Sequence, residues 1–315
     1  MTLDLGRTAF VFPGQGSQTV GMGAALAASD PSAAAVFAEA ERSLGPGFSQ
    51  LCWNGPAEAL NDTLNTQPAL LTHSVAVLRA LEARAPGARP ACVAGHSLGE
   101  FSALVAAGAL EFGDALRVVR ERGRAMKTAG ERTPGGMAAV LGLDAAIVDQ
   151  VCREAVADTG GVLQVANDNC PGQVVISGDE PTLARATEAL PKRGARRVVR
   201  LAVSIAAHSP LMKHGQEIFH SALDAAPLRE AALPVYGNVG AAPLRSAPDL
   251  RADLRAQLTS PVRWTETIRA MVEAGIGAFV ELGPGAVLCG LIRRIAPEAR
   301  TIALDGPESF AQLAS

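Results

Sequence analysis

Residues 92–99 read Cys92-Val93-Ala94-Gly95-His96-Ser97-Leu98-Gly99. The small and apolar letters of Cys92–Gly95 predict a short strand, and the apolar run Glu100–Ala109 predicts a helix immediately after it. Between the two lies a G-x-S-x-G segment, in the strand–turn–helix setting that this motif requires. A serine at such a turn sits in a strained backbone position, and the glycines two residues before and after it leave room for the bend. Ser97 then stands at the amino end of a helix, where unpaired N–H groups favour developing negative charge. A plain glycine turn with a capping serine has the same pattern, so a chemical role needs support from elsewhere in the chain.

Working outward, an apolar strand over Ala9–Phe12 runs into Pro13-Gly14-Gln15-Gly16-Ser17-Gln18 and then into alanine-rich helical sequence, with capping signals at Ser29, Asp30 and Pro31. Strand, glycine loop and helix in that order are the mark of an α/β layer. Gln67-Pro68 is read as opening a helix through Leu81. From Gly135 the character changes. Strands are predicted over Met137–Leu141, Leu163–Ala166, Val174–Ser177 and Arg197–Val203, helices over Ala145–Val156 and Pro181–Leu190, and a turn at Asn169-Cys170-Pro171-Gly172. This β-α-β-β-α-β order predicts a small ferredoxin-like domain over 135–203, inserted into a larger α/β domain made of 1–134 and 204–315. The last third offers strands at Val235–Tyr236 and Ala278–Leu282, the loop Gly283-Pro284-Gly285 and a helix through Ile292, while Ala241–Pro248 reads as a surface connector.

A chain of 315 residues can bury a sizeable core. Its 28 Lys and Arg stand against 31 Asp and Glu, a net charge of −3, which argues against a nucleic-acid or acidic-membrane footprint. The five cysteines are scattered without a C-x-x-C pair, and no basic and apolar leader precedes the first strand. A reducing, cytoplasmic setting without a cysteine zinc site is therefore expected. The longest apolar stretches, such as Ala103–Leu110, fall well short of the roughly 20 residues that span a bilayer.

A serine hydroxyl attacks well only when a base takes its proton, and histidine is the natural candidate. Five histidines are present. His96 is too close along the turn to fold back onto Ser97, and His73, His214 and His220 lie in helical sequence where a structural or surface role is expected. His208 instead follows the strand Arg197–Val203 in the loop Ser204-Ile205-Ala206-Ala207-His208-Ser209-Pro210, where a strand end can present it. No acidic residue stands out as a third member, and a backbone carbonyl can orient an imidazole in its place.

On a helix with about 100° per residue, Asp114–Met126 places Arg122 with Leu116, Val118, Val119 and Met126, while Arg117, Arg120, Glu121 and Arg124 take the other face. An unpaired buried guanidinium costs several kcal/mol, so Arg122 should meet a carboxylate. That carboxylate is either an internal Asp or Glu or one brought by a substrate, held in the planar fork.

With these residues in place, the chain resembles the malonyl-CoA:acyl carrier protein transacylases of fatty acid synthesis and the acyltransferase domains of polyketide synthases. The resemblance rests on Phe12-Pro13-Gly14-Gln15-Gly16-Ser17-Gln18, Gly95-His96-Ser97-Leu98-Gly99-Glu100 and Glu121-Arg122-Gly123-Arg124-Ala125-Met126. It continues through Asn167 with Pro171-Gly172-Gln173-Val174-Val175-Ile176-Ser177-Gly178, His208-Ser209-Pro210-Leu211-Met212, Gln257-Leu258-Thr259-Ser260-Pro261-Val262-Arg263-Trp264 and Glu281-Leu282-Gly283-Pro284-Gly285. These motifs cover nearly the whole chain in family order.

The resemblance implies an α/β-hydrolase-like large domain with an inserted ferredoxin-like domain. It implies Ser97 as nucleophile, His208 as base, Arg122 as clamp for the malonyl carboxylate, and the backbone N–H groups of Gln15 and Leu98 as oxyanion hole. Gln257 would lie in the active site, its main chain holding His208, and Asn167 close to the pocket. The implied donor is malonyl-CoA and the implied acceptor is the phosphopantetheine thiol of acyl carrier protein. A monomer is expected, with no metal and no tightly bound cofactor.

One departure concerns the residue before the histidine, which correlates with acyl choice in polyketide relatives and is often phenylalanine where malonyl is used. Here it is Ala207, preceded by Ala206. A methyl branch changes binding by only about 1–3 kcal/mol in such pockets, so a substituted malonyl group stays open. A catalytically idle carrier-binding scaffold and a thioesterase or lipase-like hydrolase are the rival readings. The intact Ser97, His208 and Arg122 set argues against the first, and a buried arginine against a simple lipase. Arg193, Arg196 and Arg197 either dock an acidic carrier or face solvent.

Overall fold

Strand β1 (Thr8–Phe12) is buried along its whole length, and its alternate residues enter different cores. Phe10 and Phe12 join one apolar cluster with Leu70, Val77 and Leu116, whereas Ala9 and Val11 join another with Trp264, Ile268 and Ile292. That is the behaviour of a central parallel strand covered by helices on both faces, which is why it reads as an uninterrupted apolar run. The computed structural model describes residues 4–203 and 205–313. Ser204, where the sequence predicts the return to the larger domain, lies outside the described residues, as do 1–3 and 314–315.

The main sheet combines β1 with β2 (Cys92–Gly95), β7 (Val235–Tyr236), β8 (Pro243–Leu244), β9 (Ala278–Leu282) and β10 (Arg300–Leu304), in the order β10-β9-β1-β2-β7-β8. Every pairing is parallel except β7 with β8. The chain leaves β1 to pair on one side with β2 and later returns to pair on its other side with β9. A crevice forms at the carboxyl ends of strands where the order turns in this way. The loop after β1 and the turn after β2 both emerge there.

A second sheet holds β3 (Gly136–Leu141), β4 (Leu163–Cys170), β5 (Gln173–Gly178) and β6 (Arg197–Arg200), all antiparallel in the order β4-β5-β3-β6. The helices Ala145–Thr159 and Glu180–Ala189 pack Val148, Val151, Leu183 and Ala186 onto Ala138, Val140, Val174 and Ile176. The opposite face turns Met137 and Val175 into the main core. Backbone bonds from Val262 N–H to Ala166 O (2.8 Å) and from Asp168 N–H to Val262 O (3.0 Å) stitch β4 to the segment that leads into the helix Trp264–Glu273.

Several element predictions need correcting. The helix predicted to open at Gln67-Pro68 runs over Thr63–Arg84, with Asp62 accepting from Leu64 N–H at its start and Pro68 inside it. Proline removes the N–H that would bond to Leu64 O, and Arg120 Nη1 donates to that carbonyl instead (3.2 Å). β4 extends through Cys170, so the turn after it narrows to Pro171-Gly172, and β6 stops at Arg200 rather than Val203. Ala241–Pro248 is not a plain connector, since it contains β8 and the start of the helix Ala247–Gln257. β10 was not anticipated. The strands at β2, β7 and β9 and the cap at Asp30, which accepts from Ser32 and Ala33 N–H, follow the sequence reading.

Candidate active site

The turn after β2 takes Ser97 to a φ of 51°, in the left-handed region, before the helix Gly99–Ala106 begins. A β-carbon on Gly95 would lie 1.8 Å from the Gly99 carbonyl carbon, and one on Gly99 would lie 2.0 Å from Phe12 O. Both positions therefore exclude any side chain, and the second brings the turn into backbone contact with the loop after β1. Asn238, beyond β7, clamps the bend: its Oδ1 accepts from Ser97 N–H (2.7 Å) and its Nδ2 donates to Gly95 O (2.8 Å). The strain at Ser97 is held by this side chain, which the sequence reading missed.

His208 reaches the turn from the segment between β6 and Pro210. Its Nε2 lies 2.8 Å from Ser97 Oγ, and its Nδ1 lies 2.9 Å from Gln257 O and 3.2 Å from Ser260 O. Carbonyls only accept, so Nδ1 carries the proton and Nε2 is left to accept from Ser97 Oγ–H. His208 also has a positive φ, 57°, and Gln164 of β4 donates to its carbonyl (2.7 Å), a further hold that no sequence signal marked. Burial and the Arg122 charge draw the His208 pKa down to about 3, against the lesser upward pull of the Gln257 and Ser260 carbonyls.

That depression has a sign. The folded ring stays neutral while an unfolded one gains a proton below 6.5, so stability falls as pH drops from about 6.5 towards 3. The rate of serine acylation in the free enzyme should accordingly show no inflection near pH 6.5. A pH profile of that rate, taken over the range where the protein stays folded, checks this; an acid limb centred at the ordinary histidine value would contradict it.

Arg122, on the helix Phe112–Arg132, is 1% exposed. Nη1 donates to Gln67 Oε1 (2.9 Å), Nη2 to Gln257 Oε1 (2.8 Å) and to Ser97 Oγ (3.0 Å), and Nε to Gln257 Oε1 (3.2 Å). Burial lowers its pKa to about 10, with the nearby Glu100 pulling the other way, which leaves it charged at neutral pH. Among the described residues no Asp or Glu forms an ion pair with it. Of the two partners the sequence left open, the internal acid is therefore not what the fold supplies.

The remaining predicted residues fall around this cluster. Gln257 is fully buried, accepts from Arg122 through Oε1 and donates from Nε2 to Ser97 O (3.0 Å). Gln67 Nε2 donates to Thr63 Oγ1 (3.1 Å), which in turn donates to Gln15 Oε1 (3.1 Å). That chain leads from Arg122 to an open cleft of about 870 Å³ lined by Gln15, Asp62, Thr63, Lys127, Val203 and Ile205. The N–H groups of Gln15 and Leu98 have no acceptor among the described residues. Asn167 stands apart. It is held in β4 opposite Val175, bridges to Val262, and bonds to none of Ser97, His208 and Arg122.

Of the other histidines, His214 is exposed on its helix and three are tied into the structure. His96 Nε2 meets Asn169 Oδ1 (2.8 Å) with its ring edge against Trp264, and His220 Nε2 meets Arg255 O (2.9 Å). His73 is fully buried beside Asp305, whose carbonyl lies 2.8 Å from its Nε2. Among the described residues no group of three His, Cys, Asp or Glu is placed to hold a metal ion, and no helix is long and apolar enough to cross a membrane.

Known proteins resemble the chain over nearly its whole length. The acyl transferase domain family matches residues 9–304. Malonyl CoA-acyl carrier protein transacylase of Bacillus subtilis (strain 168) is 45% identical over 306 residues, covering 97% of this chain and 96% of that protein. A crystal structure of malonyl-CoA:acyl carrier protein transacylase from Xanthomonas oryzae pv. oryzae superposes with a TM-score of 0.93 at 43% identity, covering 99% and 98% of the two chains. A type II PKS acyl-carrier protein in complex with its malonyl-transacylase gives a TM-score of 0.93 at 41% identity, with 98% of each chain covered. The chain belongs to the acyl transferase family.

Proposed function

We propose that this protein moves a malonyl group from malonyl-CoA to the phosphopantetheine thiol of acyl carrier protein, through a malonyl ester on Ser97. The observation that carries the reading is a buried arginine, ion-paired to no Asp or Glu among the described residues, 3.0 Å from a serine oxygen that is itself 2.8 Å from an imidazole. A lipase has no use for that cation beside its nucleophile, whereas a dicarboxylic acyl group brings the missing anion. Relatives covering almost the whole chain carry the same activity in their names.

In the first half, Ser97 Oγ attacks the thioester carbon as its proton passes to His208 Nε2. The oxyanion is stabilised by the N–H groups of Gln15 and Leu98. The carbon–sulfur bond breaks, the His208 proton passes to the CoA sulfur, and the ester remains. In the second half, the carrier's thiol gives its proton to His208 and attacks the ester, and Ser97 Oγ leaves with that proton. Arg122 holds the malonyl carboxylate and aligns the carbonyl. The same contact has an electrostatic effect: burial is the larger cause of the His208 depression, and a carboxylate against Arg122 offsets the second cause, the arginine's charge, which raises the imidazole's basicity in part.

The chain is read as a single α/β-hydrolase-like domain, 1–134 and 204–315, with a ferredoxin-like insertion at 135–203. The order β4-β5-β3-β6 with two helices on one face supports the second part. A cytoplasmic monomer without a tightly bound cofactor completes the reading. All five cysteines are free and buried, which suits a reducing compartment, and one chain supplies every residue of the site. Asn167 is assigned a supporting place near the pocket through its strand.

Mass spectrometry of holo carrier protein incubated with the enzyme and malonyl-, methylmalonyl- or acetyl-CoA tests the reading. Malonyl-carrier protein is expected to form fastest. Release of acyl groups only to water would make the protein a hydrolase, and faster methylmalonyl transfer would make a branched acyl group the substrate.

A further inference from the structure

Glu100 follows Ser97 by one turn and is 1% exposed. Its Oε2 accepts from Gln257 Nε2 at 2.6 Å, and its carboxyl faces that of Asp253, which lies one turn before Gln257 on the helix Ala247–Gln257. Two carboxylates side by side away from water cannot both be ionised. Asp253 Oδ1 accepts from Gly240 N–H (3.3 Å), and Asp253 Oδ2 is buried with no other donor against it among the described residues, so the proton belongs on Glu100 and points at Asp253. Burial and the Asp253 charge both push Glu100 well above the ordinary carboxylate range, and only Gln257 and Arg122 act against them.

We propose that Glu100 and Asp253 share one proton and form a positioning pair, whose job is to fix the Gln257 amide with its oxygen towards Arg122. The reasoning is a matter of donors and acceptors. Arg122 only donates, so Gln257 must present Oε1 to it and turn Nε2 the other way. In that direction lie two acceptors, Ser97 O and Glu100 Oε2. Remove Glu100 and the amide loses the acceptor that makes this orientation the better one. The guanidinium then loses a fixed partner on the side where the acyl carboxylate must be received. Asp253 also holds the backbone of the loop that carries Asn238, the clamp on Ser97, so the pair ties the arginine's partner and the serine's turn to one helix.

This inference rests on the malonyl-transfer reading, and its test uses the ratio of malonyl to acetyl transfer per acylatable Ser97, which is insensitive to the folded fraction. Glu100→Met should lower that ratio by about tenfold or more through the malonyl term, as expected for loss of one hydrogen bond serving a charged group. Glu100→Gln keeps an acceptor for Gln257 and a donor for Asp253, and should stay within about threefold of wild type on the same reasoning. An unchanged ratio in Glu100→Met, or a collapse in Glu100→Gln equal to that in Glu100→Met, overturns the proposal. Should Glu100→Met fail to fold, Asp253→Leu, which removes the proton's acceptor from the far side, decides in its place: the ratio should fall about tenfold or more, as for Glu100→Met, and an unchanged ratio overturns the proposal. A wild-type protein that never acylates Ser97 removes the functional reading and this one together. One that does, beside an unaltered ratio in the variant, removes only this one.

Discussion

Ser97→Ala is expected to lower malonyl transfer to carrier protein by about 10⁴-fold or more while leaving the fold intact, on the scale of losing the nucleophile from an established catalytic set. The serine's place depends on backbone rather than on its own side chain: Asn238 holds its N–H, and Gly95 and Gly99 supply the close approach. Alanine can occupy the same φ of 51° at a similar cost, so the thermal midpoint should move little. Losing the hydroxyl leaves Arg122 Nη2 without its 3.0 Å acceptor and His208 Nε2 without its donor. Binding of malonyl-CoA, measured by calorimetry, should survive, since the guanidinium remains and no longer spends a bond on the serine. Transfer within tenfold of wild type would remove Ser97 from the mechanism.

Arg122→Ala should separate two acyl groups. Malonyl transfer is expected to fall roughly 10²–10⁴-fold in kcat/KM, the effect of breaking a buried charge pair worth about 3–5 kcal/mol. Acetyl transfer should fall far less or rise, because acetyl has no carboxylate to lose. The Arg122 charge is also one of the causes that hold His208 down at about 3, so its removal leaves a stronger base for any acyl group. Equal losses for malonyl and acetyl would mean that Arg122 supports the fold of the site and does not read the acyl group. The substitution also leaves Gln67 Oε1 and Gln257 Oε1 without a donor, so each rate is to be expressed per folded protein.

The parts of the site that were legible in the sequence are those written in local letters. A glycine pair around a serine, between an apolar strand and an apolar helix, can only be a tight turn, and an arginine in register with Val118 and Met126 can only point inward. What stayed hidden depends on distant backbone. Asn238, Gln164 and Gln67 are single polar residues with no periodic signal, and each matters because a fold brings a carbonyl or N–H to it. Glu100 reads as an ordinary acidic residue in the first turn of a helix until Asp253 is placed beside it.

The helix Thr63–Arg84 shows the same limit at the level of fold. Its Thr, Gln and His letters suggest a solvent face, yet it is buried on nearly every side. Thr66 and Thr72 donate to the carbonyls of Leu60 and Pro68, so these two hydroxyls go inside already satisfied, while His73 meets Asp305 through Nε2 and buries its Nδ1 without a partner among the described residues. β8 is two residues long, too short for any alternation to register, and β10 is an edge strand that begins with Arg300.

Brief incubation of the protein with malonyl-CoA alone, followed by peptide mapping, goes to the centre of this account. The acyl mass should appear on the peptide containing Ser97 and should disappear when holo carrier protein is added, as the carrier gains it. Malonyl reaching the carrier at full rate with no ester ever detectable on Ser97, or an ester on another residue, would contradict it.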